Sequence, residues 1–401
     1  MPGVASAALL AAGTAFALPT AVFGAECLLG ALPRRRPDTT ARPEGVTAVV
    51  LIPAHDEAVG IGSTVAHVRT RLAAGDRVLV VADNCSDETA DVARAAGAEV
   101  IERHDNTRRG KGFALAYGFE HLRHGPSPPD VVIVLDADCA ITPDTVHCLV
   151  AESLKRYCPV QADNTVIVDS SASASARVSA FAFRVRNRLR PRGLSRLGLP
   201  CHLAGTGMAL PFALVTQAPD MEGHLAEDLA MGIELGLLGF PAMYTDTAAV
   251  TSELAPTEQA KQAQRQRWEH GHLSTQRTYI PRLLRAGLSQ RDHRLLAMAL
   301  DLTVPPLAFH VSVLGLGLAL GGGAALLGTG AGPALLFAGE ISLVSLGVLA
   351  GWWAVGTDIV SPRDFLAMPT YVVRKIPSYW AWLRGHASGS WVRAQRNPHS
   401  P

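Results

Sequence analysis

Residues 46–54, VTAVVLIPA, form a continuous apolar run rich in β-branched side chains, and it stops at the polar cluster HDE of 55–57. A strand buried on both faces requires such a run. Outward from it the pattern repeats. Residues 58–74 have helical spacing, RVLVVAD at 77–83 reads as a second strand, and ETADVARAAG at 88–97 as a short helix closed by Gly97. AEVIER at 98–103 reads as a third strand, KGFALAYGFEHLRHG at 111–125 as a helix stopped by PSPPD, and VVIVLDAD at 131–138 as a fourth strand. Strands alternating with helices predict an α/β fold with a doubly wound, mostly parallel sheet. In such sheets ligands bind beyond the carboxyl ends of the strands, which is where the polar clusters fall.

The chain has 401 residues, 48% hydrophobic and 18% charged, which excludes a disordered polymer and favours membrane segments. Lys plus Arg number 36 against 35 Asp plus Glu, a formal net charge of +1. That balance argues against a nucleic-acid partner, which draws a basic excess. Six cysteines form no CxxC pair, so they read as reduced thiols rather than a zinc or redox site.

Residues 4–32 are almost uncharged and long enough to span a bilayer. No Lys or Arg precedes them, as a signal peptide would want, and Arg34, Arg35 and Arg36 follow. The positive-inside rule then sets residue 34 onward in the cytoplasm. Residues 302–328 and 333–357 form two more apolar runs joined by the uncharged loop GTGAGP, with basic flanks. Both ends of the chain thus predict the same orientation at a plasma (inner) membrane. The expected division is a transmembrane anchor at 1–33, a linker at 34–45, a catalytic domain at 46–280, a connector at 281–301, a transmembrane hairpin at 302–357 and an interfacial tail at 358–401, where aromatic and basic residues mix. Residues 170–200 crowd Arg177, Arg184, Arg186, Arg188, Arg190 and Arg192. They read as a solvated helix face or as a surface for anionic headgroups.

Asp136 and Asp138 lie two apart at the end of an extended run, so both carboxylates fall on one face. Like charges so placed repel unless a cation joins them, and hard oxygen donors suit Mg²⁺ or Mn²⁺. PAHDE at 53–57 and DNCSDE at 83–88 end the first two strands. There Asp83 and Glu57 can accept hydrogen bonds from a base or ribose, or serve as turn and cap residues; Asp87 reads as a cap. Around TRRGKGFAL at 107–115, position 105 is Asp where a P-loop has its first Gly and position 112 is Gly where it has Ser or Thr, which rejects a P-loop. Arg109 and Lys111 still precede a helix, where a diphosphate would meet charge and backbone amides.

PAHDE, DNCSD, RRGKG, DAD, GTG, ED and QxxRW, in this order over residues 46–280, resemble the family 2 glycosyltransferases of GT-A fold. The resemblance implies an inverting, metal-dependent enzyme that transfers from a nucleoside diphosphate sugar. It implies donor contacts from Pro53, His55, Glu57, Asp83, Arg109, Lys111, Asp136, Gln264, Arg267 and Trp268, and a metal on Asp136 and Asp138. It implies acceptor contacts from Gly205, Thr206, Gly207, Glu227 and Trp268, and Asp228 as general base, although Ala226 stands where Thr is common before Glu-Asp. QxxRW is associated with processive polysaccharide synthases, whose polymer channels have more than the three spans read here. A channel would need a membrane partner protein. Transfer to a lipid-linked or membrane-proximal acceptor is the other reading, and a non-catalytic nucleotide-sugar-binding scaffold is the alternative outside enzymes.

Overall fold

The computed structural model describes residues 2–33, 41–169, 172–217, 226–253 and 258–384. The basic cluster Arg34–Arg36, linker residues 34–40 and the tail beyond 384 with Trp391 lie outside them. The chain opens with helix α1 (Pro2–Ala31) and then alternates as its periodicity predicts. β1 (Ala48–Ala54), α2 (Ile61–Arg69), β2 (Arg77–Asp83), α3 (Thr89–Ala95), β3 (Glu99–Arg103), α4 (Lys111–His124) and β4 (Val131–Val134) follow in order. Next come β5 (Cys139–Ile141), α5 (Thr145–Arg156), β6 (Val160–Ile167), α6 (Ala174–Arg184), a π-helical turn (Val185–Leu189) and α7 (Arg190–Arg196). β7 (Met208–Pro211), α8 (Phe212–Val215), α9 (Glu227–Leu237), β8 (Met243–Glu253) and α10 (Glu258–Gln290) complete the α/β unit. The domain limit expected at 280 falls inside α10.

The eight strands form one sheet in the order β3-β2-β1-β4-β7-β6-β8-β5. β1 pairs in parallel with β2 and β4, and β2 with β3. The second half is mixed: β7 runs antiparallel to β4 and β6, and β5 to β8. Strand alternation divides the core. Val50, Ile52, Val78, Val80 and Ile133 pack on α2 and α5. Val49, Leu51, Leu79, Val81, Val132 and Val134 pack on α4 and α9. A sheet covered on both faces needs apolar residues at both parities, which explains the unbroken runs.

α11 (His293–Thr303) leads into α12 (Leu307–Leu326) and α13 (Gly332–Val355). Among the described residues, the segments Val4–Ala31, Leu307–Leu326 and Gly332–Val355 are long and apolar enough to cross a membrane. They bundle around Phe23, Leu314, Phe337 and Val344. Thr20 Oγ1 and His310 Nε2 lie 2.9 Å apart and tie α1 to α12. Leu10, Leu18, Leu316, Leu320, Leu346 and Trp353 face outward and exposed. Helix α14 (Met368–Leu383), reached through a 3-10 turn (Pro362–Ala367), exposes Val373, Ile376, Trp380 and Leu383 at helical spacing. One face of the described tail is therefore apolar.

The arginine-rich stretch corrects the sequence reading. Instead of presenting a solvated face, its side chains are pulled inward by acidic residues from distant segments. Arg177 pairs with Asp364, Arg184 with Asp358, Arg188 with Asp163 and Arg192 with Asp246, while Arg190 bridges Glu26 and Asp301. Sequence spacing shows where the charges lie but not the partners that neutralise them.

Candidate active site

The cleft lies at the carboxyl end of β4, where the parallel half of the sheet meets the mixed half. β4 ends at Val134, so Asp136 and Asp138 sit in the turn before β5 and not within a strand, a correction to the extended geometry read from the sequence. Oxygens of the two carboxylates and Cys139 Sγ lie within 4.8 Å of one another. The thiol contacts Thr206 Oγ1 at 3.4 Å, and burial raises its pKa well above the ordinary range, so it stays protonated. The donors left for a cation are the two carboxylates, a hard-oxygen pair that fits Mg²⁺ or Mn²⁺.

α4 aims its N-terminus at this turn, and Lys111, its first residue, donates from Nζ to Asp136 Oδ1 at 2.5 Å and to the Gly205 carbonyl at 2.5 Å. Burial pulls the Lys111 ammonium pKa down, but the charges of Asp136, Glu227 and Asp228 outweigh that and leave it raised. Arg109 also lines the cleft, donating to Asn106 Oδ1 at 2.9 Å.

The opposite wall is the 203–207 loop. Gln161 and Asn164 of β6 hold its backbone: Gln161 accepts from Ala204 N–H at 2.8 Å and donates to the Thr206 carbonyl at 2.9 Å, while Asn164 donates to the Ala204 carbonyl at 3.3 Å. Thr206 Oγ1 accepts from the Asp136 N–H at 3.1 Å, which joins the loop to the acidic turn. Gly205 adopts φ +83°, and a Cβ there would stand 3.1 Å from Asp228 Oδ2, so both backbone conformation and space call for glycine. Gly207 lies behind the lining, against Val250 and Ala162.

Glu227 and Asp228 open α9 and face the cleft. Enclosure by its walls raises the pKa of both; their mutual charge adds to this for Glu227, while Lys111 opposes it. Gln264, Arg267 and Trp268 enter from α10, and the Trp268 ring sits 5.7 Å from Phe183 at 44°. Burial lowers the Arg267 guanidinium pKa, countered by Glu227 and Asp136.

Arg109, Lys111, Asp136, Asp138, Gly205, Thr206, Glu227, Asp228, Gln264, Arg267 and Trp268 thus line one cavity of about 360 Å³. Pro53, His55, Glu57 and Asp83 do not line it and stand at the neighbouring ends of β1 and β2. Asp83 is buried and accepts from Arg103 at 2.6 Å and from Asn84 at 3.0 Å, and its carbonyl lies 2.6 Å from His55 Nδ1. Asp87 accepts from the Thr89 N–H at 3.0 Å, but Glu88 holds the N-cap position of α3, so Asp87 closes a turn one residue ahead of the cap read for it from the sequence. His270 Nε2 faces Ser378 Oγ and His272 Nε2 the Val304 carbonyl, both remote from the acidic turn.

Asn164, Phe183, Arg186 and Asn187 also line the cleft and were not singled out as site residues. The available signal was polar density inside apolar segments. β6 buries Gln161, Asp163, Asn164 and Thr165, and a strand interior keeps such groups only when something pairs with them. Phe183 and Arg186 reach the cleft because helix α6 runs into a π-helical turn, a feature common at functional sites.

A mannosyltransferase from Pyrobaculum calidifontis, solved in complex with GDP-Man and Mn²⁺, shares the fold at a TM-score of 0.55 and 18% identity, over 88% of this chain and 97% of that one. A glucosyl-3-phosphoglycerate synthase from Mycobacterium tuberculosis, solved with Mn²⁺, UDP-Glc and phosphoglyceric acid, aligns over 60% of this chain and 85% of its own at 22% identity and a TM-score of 0.41. A mannosyl-3-phosphoglycerate synthase from Rubrobacter xylanophilus aligns over 52% and 67% at 19% identity and a TM-score of 0.35. No curated protein matches the chain. The profile of the family described as glycosyltransferase like family 2 matches residues 43–271, more than half of the sequence and all of the cleft-lining segments, and the chain belongs to that family.

Proposed function

We propose that this is a membrane-bound, inverting, metal-dependent glycosyltransferase. It moves a sugar from a nucleoside diphosphate sugar to a lipid-linked or saccharide acceptor, in the assembly of an exopolysaccharide, envelope polymer or glycolipid. The observation that carries the reading is the convergence of Asp136, Asp138, Lys111, Asp228 and Arg267 on one cavity from segments spread over more than a hundred positions. A non-catalytic binding scaffold would have no need of a carboxylate pair with raised pKa facing the acidic turn.

Asp136 and Asp138 would hold Mg²⁺ or Mn²⁺. When bound, the ion supplies Lewis-acid neutralisation of a diphosphate. The remaining work falls to this chain's residues. Lys111, Arg109 and Arg267 would face the diphosphate as the anomeric C–O bond breaks and its electron pair passes to the leaving oxygen. Asp228 would take the proton of the acceptor hydroxyl as that oxygen bonds to the anomeric carbon from the opposite side, which inverts the centre. Trp268 presents a flat apolar ring to a sugar, and Arg267 a fork to phosphate oxygens. Pro53, His55, Glu57 and Asp83 would border the nucleoside at the ends of β1 and β2, and Gly205, Thr206, Gly207 and Glu227 would shape the acceptor side.

Nucleotide release measured across a panel of donors, with UDP-Glc and GDP-Man included and with Mn²⁺ or Mg²⁺ added, tests the activity. Tight donor binding without turnover of any donor would favour the scaffold. Asp138→Ala is expected to weaken metal-dependent donor binding by about tenfold or more, while metal-free binding stays near wild type. A Mn²⁺ titration that superimposes on wild type would remove Asp138 from the metal site.

The spans 1–33 and 302–357, the cytoplasmic catalytic domain at 46–280 between linker and connector, and the interfacial tail form one topological proposal. Reporter fusions after residues 40 and 395 should report the cytoplasm, and a fusion after residue 330 the opposite side. The same signal at 330 and 40 would break the arrangement.

A further inference from the structure

Beside the catalytic cleft lies a second cavity of about 210 Å³ with a different character. Phe23 of α1, Val311 of α12 and Val348 of α13 contribute to its walls, so all three helices of membrane-crossing length reach it. Val372 of α14 closes another side. Both cavities share Phe183, Arg186, Gln264 and Trp268 as lining. The Phe183–Trp268 ring pair therefore stands between an apolar chamber on the membrane helices and the polar chamber that holds Asp228.

Arg186 stands at the same junction. Its neighbours in the arginine-rich stretch are committed to acidic partners, whereas Arg186 makes no hydrogen bond or ion pair among the described residues. It senses Asp228, Asp301 and Glu269 only through space. A cation held at the meeting point of an apolar chamber and a general base suits an amphiphile with an anionic head.

We infer that the apolar cavity houses the hydrocarbon chain of the acceptor, an anionic lipid with a free hydroxyl, whose headgroup passes the Phe183–Trp268 pair and meets Arg186 on the way to Asp228. This rests on the glycosyltransferase reading and narrows its acceptor from lipid or saccharide to lipid. Three observations favour a chain over a sugar: each of the three helices of membrane-crossing length contributes to the walls, the lining is mostly apolar, and the chamber shares part of its lining with the cleft. An enclosed apolar cavity of ~150 Å³ already takes a benzene ring, so this one has room for a segment of alkyl chain. In the reaction the lipid hydroxyl loses its proton to Asp228 and its oxygen bonds to the anomeric carbon, while the bond to the diphosphate breaks and the diphosphate leaves with the electron pair.

The test uses the full chain in nanodiscs of phosphatidylcholine and phosphatidylglycerol, with a phosphatidylglycerol that carries a diazirine near its chain end. Photolabelled peptides are mapped by mass spectrometry in wild type and in the cavity-filling double variant Val311→Trp, Val372→Trp, neither residue being part of the catalytic machinery. Wild type should label the α6 segment around Val178 and Phe181, which are buried and line the apolar chamber but not the cleft, and the filled variant should lose those labels. Labels on the outward faces at Leu316 and Leu346 should persist in both and report an intact fold. Labels confined to outward faces, or cavity labels unchanged on filling, overturn the inference.

In the same nanodiscs, sugar recovered in the organic phase should fall about tenfold or more in the filled variant, while nucleotide release to water stays within about twofold. Cavity labelling with unchanged transfer, or with no sugar in the organic phase of wild type, would make the occupant a structural lipid and overturn its acceptor role. Absence of nucleotide release from wild type with every donor is a different failure. It removes the glycosyltransferase reading itself, whereas the labelling map still reports on the cavity's occupant.

Discussion

Asp228→Asn is expected to lower sugar transfer about a thousandfold while nucleotide binding stays within a few-fold of wild type. An acceptor hydroxyl is a poor nucleophile, and an amide in place of the carboxylate has no basic site to receive its proton. The substitution is nearly isosteric, so Gly205, whose absent Cβ leaves room for Asp228 Oδ2, need not move. Lys111 keeps its bonds to Asp136 and to the Gly205 carbonyl. The wild-type pH profile supplies a second reading. A general base works only when ionised, so activity must fall as pH drops through its pKa. Burial raises that pKa, and the nearby Lys111 ammonium opposes the rise. The acidic limb should accordingly lie above the ordinary aspartate value of about 3.9. Because Glu227 titrates in the same enclosed pair, the limb belongs to the pair and not to one residue. Asp228→Asn should flatten it in whatever turnover remains. Full transfer by the variant, or an unchanged acidic limb, would take the base role away from Asp228.

Periodicity reveals the parallel half of the sheet because the physics there is local: a strand buried on both faces must be apolar at every position, as at Val49–Ile52 and Val78–Ala82. The mixed half is less legible. β6 carries Gln161, Asp163 and Asn164 in its interior, and their pairing with the 203–207 loop and Arg188 depends on segments far away in sequence. The same division runs through the site. Asp136, Asp138, Asp228 and Arg267 belong to recognisable short motifs. Arg186 belongs to none, and only the π-helical turn and the pairing of its neighbours single it out. A run of arginines looks like solvated surface until the carboxylates that meet it are placed, and here those carboxylates lie on β6, β8, α1, α11 and the segments around α14.

Arg190→Met should destabilise the protein by about 3–5 kcal/mol, as expected when one partner leaves a buried ionic cluster. Arg190 Nε donates to Glu26 Oε2 at 2.6 Å and its Nη2 to the Asp301 side chain and to the Asp301 carbonyl. All three residues are buried, at 5%, 8% and 8% exposure for Glu26, Arg190 and Asp301. They come from α1, α7 and α11, so this single guanidinium joins the N-terminal apolar helix, the α/β unit and the lead-in to the hairpin. The backbones beside it are close as well: a Cβ on Gly193 would stand 2.1 Å from the Glu26 carbonyl oxygen, which leaves α1 little freedom to shift and rehydrate the stranded carboxylates. The loss should appear as a fall of about 5 °C or more in the unfolding midpoint of the detergent-solubilised full chain. Replacing all three residues together, as Glu26→Leu, Arg190→Met and Asp301→Leu, removes the buried charges instead of stranding two of them, and should recover most of the midpoint. Recovery would separate a desolvation penalty from a simple loss of packing, which the triple replacement would deepen. An Arg190→Met protein that melts with wild type would show that α1 is not fastened to the catalytic unit through this cluster.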